Sequence, residues 1–250
     1  MQFFKEVTDL SQNILAKQLL SQMLFSFNML NIDSLFSGFT RGDFAVLYGM
    51  PTVLSLSLLL SVRAQLPLQL GGLKTDVVFI DGGNTFRLYE VSRIAQLHQL
   101  DPRQVLKRIY ISRAFTAYQL TSLILEKLEE TVNKYNSKLV VISDLAGLYL
   151  DKDVPATETK EVFSQLTNHL SKFAEENQLI LVATCFPHCP SKLNTFLHGV
   201  ACGIANVVIS IRPSKFGQEF VLEKHPRFSL GYAEFPSPVL TLNRFMERHE

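Results

Sequence analysis

The stretch FAVLYGMPTVLSLSLLL, Phe44 to Leu60, decides how the chain is read. Phe44 to Tyr48 is an apolar run of the length of a buried strand, Gly49 opens a tight turn, and Val53 to Val62 continues as an apolar helix packed under a sheet. Strand, loop and helix in that order frame a phosphate cradle. The working motif, GxxxxGK[ST], needs small residues so that backbone N–H groups close on phosphate oxygens, a lysine for the β- and γ-phosphates, and a hydroxyl for magnesium. In the full-length register Gly49 is followed by Leu54, Ser55 and Leu56 at the last three positions; with the loop shortened by two residues they become Thr52, Val53 and Leu54. Neither register supplies a lysine, and the chain has none between Lys17 and Lys74. Gly49, Thr52 and Ser55 are what remains of a nucleotide site.

At 250 residues the chain suits one large domain with a sizeable core. Hydrophobic residues make up 47% and charged residues 19%, with no uninterrupted apolar run long enough to span a bilayer, so neither disorder nor a membrane span is expected. A net charge of +1 argues against a surface tuned for nucleic acid and leaves room only for a local basic patch. The first twenty residues lack the apolar core of a secretory signal, and three cysteines without an even framework fit a reducing compartment. A cytoplasmic protein is expected, nucleoid-associated if the source is prokaryotic.

Outward from the opening stretch, Met1 to Leu30 carries apolar residues at helical spacing and reads as a helical arm, with 31–250 as the core domain. Asp33 or Ser34 is a candidate helix cap. Asp76 to Asp81, Arg108 to Ser112, Lys138 to Ser143 and Leu179 to Thr184 read as further buried strands. Helices are expected over 87–99 and 116–135 and up to Glu176. Strands alternating with helices indicate a mainly parallel twisted sheet flanked by helices. After Gly203, short strands at Val207 to Ile211, Glu219 to Glu223 and Tyr232 to Phe235 predict an antiparallel C-terminal extension, with a tail from Val239 to Glu250 as strand and charged helix.

The order of these pieces resembles the core of the RecA/RadA-type recombinases, particularly archaeal RadA and its paralogues. IDSLFSGFTRGDFAVLYG (Ile32 to Gly49), GGLKTDVVFIDGGNTFR (Gly71 to Arg87) and LDPRQVLKRIYISRAF (Leu100 to Phe115) carry the likeness. KLVVISD (Lys138 to Asp144), LILVAT (Leu179 to Thr184) and HPRFSLGYAEF (His225 to Phe235) extend it over about 200 residues. A RecA-like α/β core is therefore expected. In that family a glutamate that orients the attacking water follows the strand equivalent to Val77 to Asp81; here Gly83 stands there. The strand equivalent to Lys138 to Ser143 ends in a magnesium-binding aspartate; here Ser143 has its place, and Asp144 comes one residue late, which normally turns a side chain to the other face. The polar pair after the fifth strand's threonine is replaced by Cys185 and Phe186. Parts that act as a unit are missing together, so the resemblance implies a pseudo-ATPase that holds no cofactor.

Other constellations yield less. Asp81 and Asp144 end neighbouring strands and read as vestigial, not as a catalytic pair. Cys185, His188, Cys189, His198 and Cys202 fall within eighteen residues, but C-x2-H-C-x8-H-x3-C matches no common zinc module, and no metal is expected. The family binds single-stranded DNA through two loops, here about 148–159 and 186–199, which offer Lys152 and Lys192; Arg212 and Lys215 lie near a sheet edge. Acidic neighbours make this a weak DNA site. A recombinase arm typically docks a phenylalanine on its neighbour, which makes Phe3 and Phe4 candidate partner-binding residues. The expectation is a non-catalytic paralogue that pairs with a RecA/RadA-family protein or with itself in DNA recombination or repair. The alternatives are a RecA-like NTPase with an unusual pocket and a DNA-binding module without a recombinase partner.

Overall fold

The computed structural model describes residues 24–151, 154–215 and 217–235. In chain order the elements are α1 (Leu30–Asp33), β1 (Phe44–Gly49), α2 (Thr52–Arg63), β2 (Val77–Asp81), α3 (Leu88–Leu97), α4 (Pro102–Lys107), β3 (Ile109–Arg113) and α5 (Ala117–Ser122). A π-helical turn (Leu123–Lys127) leads to α6 (Leu128–Tyr135), then β4 (Leu139–Ser143), α7 (Ala156–Glu176), β5 (Ile180–Cys185), α8 (Lys192–Ile204), β6 (Val207–Ser214), β7 (Gly217–Lys224) and β8 (Gly231–Phe235).

The eight strands form one sheet in the order β3-β2-β4-β5-β1-β6-β7-β8. Pairings from β3 to β6 are parallel, and β6-β7-β8 run antiparallel. Strands β1, β2, β4 and β5 have no exposed residue, which is why they read as continuous apolar runs and not as alternation. Helices cover both faces. Alternate residues of β1 divide between them: Ala45 and Leu47 join the core under α2 and α3, Phe44 and Val46 the core under α5 to α8. The expected α/β architecture with its antiparallel extension is the one observed.

Several local expectations change. Within the arm, residues 24–29 are not helical: Phe25 pairs its backbone with Phe39 (N–H to O 2.8 and 2.9 Å), and Phe25 and Phe27 are buried in the core. Phe27 packs with Phe36, Phe39 and Phe220, so burial of aromatic rings overrides helical spacing. Residues 1–23, with Phe3 and Phe4, and the tail from Val239 to Glu250 lie outside the described residues. Asp33 ends α1 instead of capping its start, and it accepts a hydrogen bond from Ser26 Oγ at 3.1 Å. The helix expected over 116–135 is interrupted by the π turn. Its buried residues, Leu120, Ile124, Leu128 and Val132, recur every four positions, and 3.6 residues per turn would rotate that stripe off the sheet; one wide turn restores it.

The loop expected over 186–199 is only half a loop. Ser191 accepts from the Asn194 N–H at 3.0 Å and starts α8, whose Leu197 and Ala201 are buried against the sheet. At the other loop, Gly147–Leu150 is a 3-10 turn, and α7 begins at Ala156.

Candidate functional site

The carboxyl ends of the parallel strands are where an open α/β sheet places its site. The first turn there is Gly49-Met50-Pro51, and helix α2 already begins at Thr52, as the shorter register would have it. Gly49 has φ +105°, and a Cβ on it would lie 2.2 Å from the Ile211 carbonyl oxygen, which leaves glycine as the only residue that fits. The same carbonyl accepts the Met50 N–H at 3.0 Å. The Val53 N–H donates to Met50 O and the Leu54 N–H to Pro51 O, both at 3.1 Å, while Pro51 has no N–H. The Met50, Val53 and Leu54 N–H groups are thus engaged on protein carbonyls.

The side chains follow the same pattern. Thr52 is buried, and its hydroxyl donates to Gln218 Oε1 on β7 at 2.7 Å. Val53, at the position of the lysine, is fully buried in the core. Ser55 is half-buried one turn further into α2.

At the end of β2, the fully buried Asp81 accepts from the backbone N–H of Thr85 (2.8 Å) and Phe86 (3.2 Å) and from Arg113 Nε (3.3 Å). Its carboxylate folds the loop back on the sheet. Ser143, also fully buried, shares a short hydroxyl–hydroxyl hydrogen bond with Thr85. Asp144 lies just past β4 with φ +53°, so strand alternation does not direct its side chain. Its N–H donates to Thr184 Oγ1 at 3.0 Å, and its carboxylate receives His188 Nε2 at 2.9 and 3.0 Å. That carboxylate passes over Gly147, where a Cβ would lie 2.1 Å from Asp144 Oδ2. A Cβ on Gly83 would meet Thr85 Cγ2 at 2.8 Å and Asp144 Cβ at 3.0 Å, so a side chain at this position would crowd its neighbours.

Beside β1, Tyr48 donates to Glu223 Oε2 at 2.7 Å, and burial raises its pKa. Ser210 Oγ donates to Glu223 Oε1 at 2.9 Å, and Arg212 forms an ion pair with the same carboxylate. Arg212, one of the four cations considered for DNA, is therefore engaged on the protein. Lys192 is exposed in the first turn of α8, Lys215 lies in the turn between β6 and β7, and Lys152 falls outside the described residues. Of the cysteine and histidine cluster, His188 belongs to Asp144, Cys189 is exposed, and His198 Nε2 approaches Cys202 Sγ at 3.6 Å. Burial pushes the Cys202 thiol up to about 12. Among the described residues no three such side chains are placed to hold a metal.

Sequence reasoning missed Thr85, Gln218 and the role of His188. His188 stood inside the cysteine and histidine cluster, but nothing in its spacing pointed to Asp144, forty-four residues earlier. The Rad51 family model matches residues 16–189. The chain belongs to the Rad51 family. The DNA repair and recombination protein RadA of Aeropyrum pernix is 34% identical over 128 residues, covering 51% of this chain and 38% of that protein. The Rad51-family chain thus spans well under half of the curated relative it matches, and the family match over 16–189 includes β1, β2, β4 and β5. No helix among the described residues is long and apolar enough to cross a membrane.

Proposed function

We propose that this chain is a non-catalytic member of the Rad51 family that serves as an accessory or structural partner in DNA recombination and repair. The closed turn at Gly49-Met50-Pro51 carries the reading: the Met50, Val53 and Leu54 N–H groups are engaged, and in the shorter register the apolar Val53 side chain lies buried where the lysine belongs. An apolar residue cannot neutralise polyphosphate charge, and a donor already bonded to protein must break that bond to bind phosphate. Gly83, packed against Asp144, and Ser143, held by Thr85, support the same reading, because phosphoryl transfer relies on positioning and charge stabilisation acting together.

Such a core has its use in its shape. It pairs with a RecA/RadA-family protein or with a second copy of itself, and it touches single-stranded DNA weakly and only within that assembly. Isothermal calorimetry with ATP and magnesium tests the reading. No saturable heat is expected; saturable binding at about micromolar affinity, the range of a working site, would overturn it in favour of an NTPase with an unusual pocket.

A further inference from the structure

The antiparallel strands β6, β7 and β8 reach past the helices that cover the rest of the sheet, and their side chains alternate between its two sides. Ile209, Ile211, Phe220 and Leu222 point into the core under α2 and α3, and Gly231 lies on that side too, where a Cβ would meet Leu35 at 3.1 Å. The other side carries Arg212 on β6, Glu219, Val221 and Glu223 on β7, and Tyr232 and Glu234 on β8. Helix α8 ends beside β7, where Lys224 Nζ donates to Gly203 O at 2.6 Å. Beyond that contact no described helix covers this side: Tyr232 is 68% exposed, Glu234 is exposed, and Glu219 and Val221 are half-buried.

This bare side has an apolar centre and an unbalanced charge. Val221 and Tyr232 stand opposite each other on neighbouring strands, as do Glu219 and Glu234. Glu223 is matched by Arg212, whereas Glu219 and Glu234 form no ion pair among the described residues. The adjoining flank of α8 is open as well. His198 turns toward Tyr48 on β1, and one step further round the helix a Cβ on Gly199 or Gly203 would meet nothing within 4 Å. The layer that holds α8 therefore has room for one more helix over β7 and β8.

The chain itself supplies a segment that fits. Directly after β8 it continues PSPVLTLNRFMERHE, 236–250. Ser237-Pro238 is a helix-start signal, and Val239, Leu242, Phe245 and Met246 recur at helical spacing, with Arg244 beside them. The lengths agree. A helix that starts at Pro238 and runs back along β8 carries Phe245 about 10 Å at about 1.5 Å per residue, and β8 covers about 10 Å from Phe235 back to Tyr232 at about 3.3 Å per residue. We propose that residues 238–250 lie as an amphipathic helix on the bare side of β7 and β8, next to α8. Leu242, Phe245 and Met246 pack on Val221 and Tyr232, and Arg244 answers Glu219 and Glu234, a cation beside two carboxylates at the rim of an apolar contact. The inference is independent of whether ATP binds, so the calorimetric test and this one fail separately.

The sequence contains no tryptophan, so Phe245→Trp in the full chain gives a single fluorescent reporter. Its emission is expected to be blue-shifted, and shielded from iodide, relative to a free 236–250 peptide with the same substitution. Tyr232→Lys removes the ring and repels Arg244; it should shift the emission to the red and return iodide quenching to that of the peptide. Glu234→Lys should do the same in part, through repulsion alone. Leu70→Lys, at another exposed apolar side chain beyond α2, should leave the reporter unchanged. Dilution should also leave it unchanged, because the contact lies within one chain. A reporter as accessible as the peptide's, shielding that survives Tyr232→Lys, or equal losses in Tyr232→Lys and Leu70→Lys would overturn the proposal. So would shielding that is lost on dilution, which would assign the bare side to a second copy of the chain.

Discussion

Val53→Lys places a lysine where the shorter register of the turn puts it, and the structure sets what that costs. Val53 is fully buried in the apolar core under the sheet. A lysine there folds neutral, so folding releases a proton whenever the unfolded side chain carries one. The penalty is about 1.4 kcal/mol per pH unit below the unfolded value of about 10.4, or about 4.6 kcal/mol at pH 7 and about 1.9 kcal/mol at pH 9. The folded pKa is depressed, so the loss grows as pH falls and disappears as pH approaches the unfolded value. Overfilling the site adds roughly 1–3 kcal/mol that does not depend on pH. Against a typical stability of about 5–15 kcal/mol, the variant is marginal at neutral pH. Urea unfolding of both proteins at pH 7 and pH 9 should show the difference between them shrinking by about 2.7 kcal/mol. Calorimetry should show no ATP binding by the variant. A pH-independent loss below about 1 kcal/mol together with saturable ATP binding would refute the reasoning, because the lysine would then have turned outward into an open cradle.

Gly83→Glu should destabilise by about 1–3 kcal/mol without producing turnover, since its Cβ lands 2.8 Å from Thr85 Cγ2; urea unfolding and phosphate release measure the two effects. Burial, with Arg63 adding to it, pushes His98 down to about 4. Its penalty is absent above the unfolded value near 6.5 and grows as pH falls toward 4, so His98→Gln should flatten the acid limb of a stability–pH curve. Deleting Met1 to Leu10, which contains Phe3 and Phe4, should weaken association with a RecA-family partner more than it lowers the melting temperature, as sedimentation and thermal unfolding compare.

The parts of this fold that were legible are those in which a local pattern and burial agree. The runs at Phe44, Val77, Leu139 and Ile180 are apolar throughout because both faces of each strand are covered, and each appears as a strand within a residue or two of its expected ends. The absent lysine was equally legible, being a matter of composition between Lys17 and Lys74. Which register the turn adopts was not, since it depends on the Ile211 carbonyl contributed by β6, more than 160 residues later. The same applies to Gln218 on Thr52 and His188 on Asp144. These are single polar contacts between distant segments and leave no periodic trace. Helix α8 was hidden for another reason: Phe186 to Ser191 has loop composition, and that reading was carried past the Ser191 cap into residues whose Leu193, Leu197 and Ala201 spacing is helical.

The site's departures do not stand as independent losses. Removing a ligand from an open cradle would leave buried donors and acceptors unpaired, each costing about 1–3 kcal/mol. Here four polar groups of the site are matched by internal contacts: Ile211 O on Met50 N, Gln218 on Thr52, Thr85 on Ser143, and His188 on Asp144. Asp144 is the hinge of the set, because its carboxylate sits over Gly147, its Cβ lies against Gly83, and its N–H holds Thr184. A glutamate at position 83 would displace Asp144, which would strip His188 of its acceptor and release the loop before α8. Reintroducing one catalytic residue therefore breaks a contact that closes another part of the site. On the proposed non-catalytic reading, turnover would require changes at 53, 83 and 143 together, with the His188 contact removed, and no single substitution is expected to approach it.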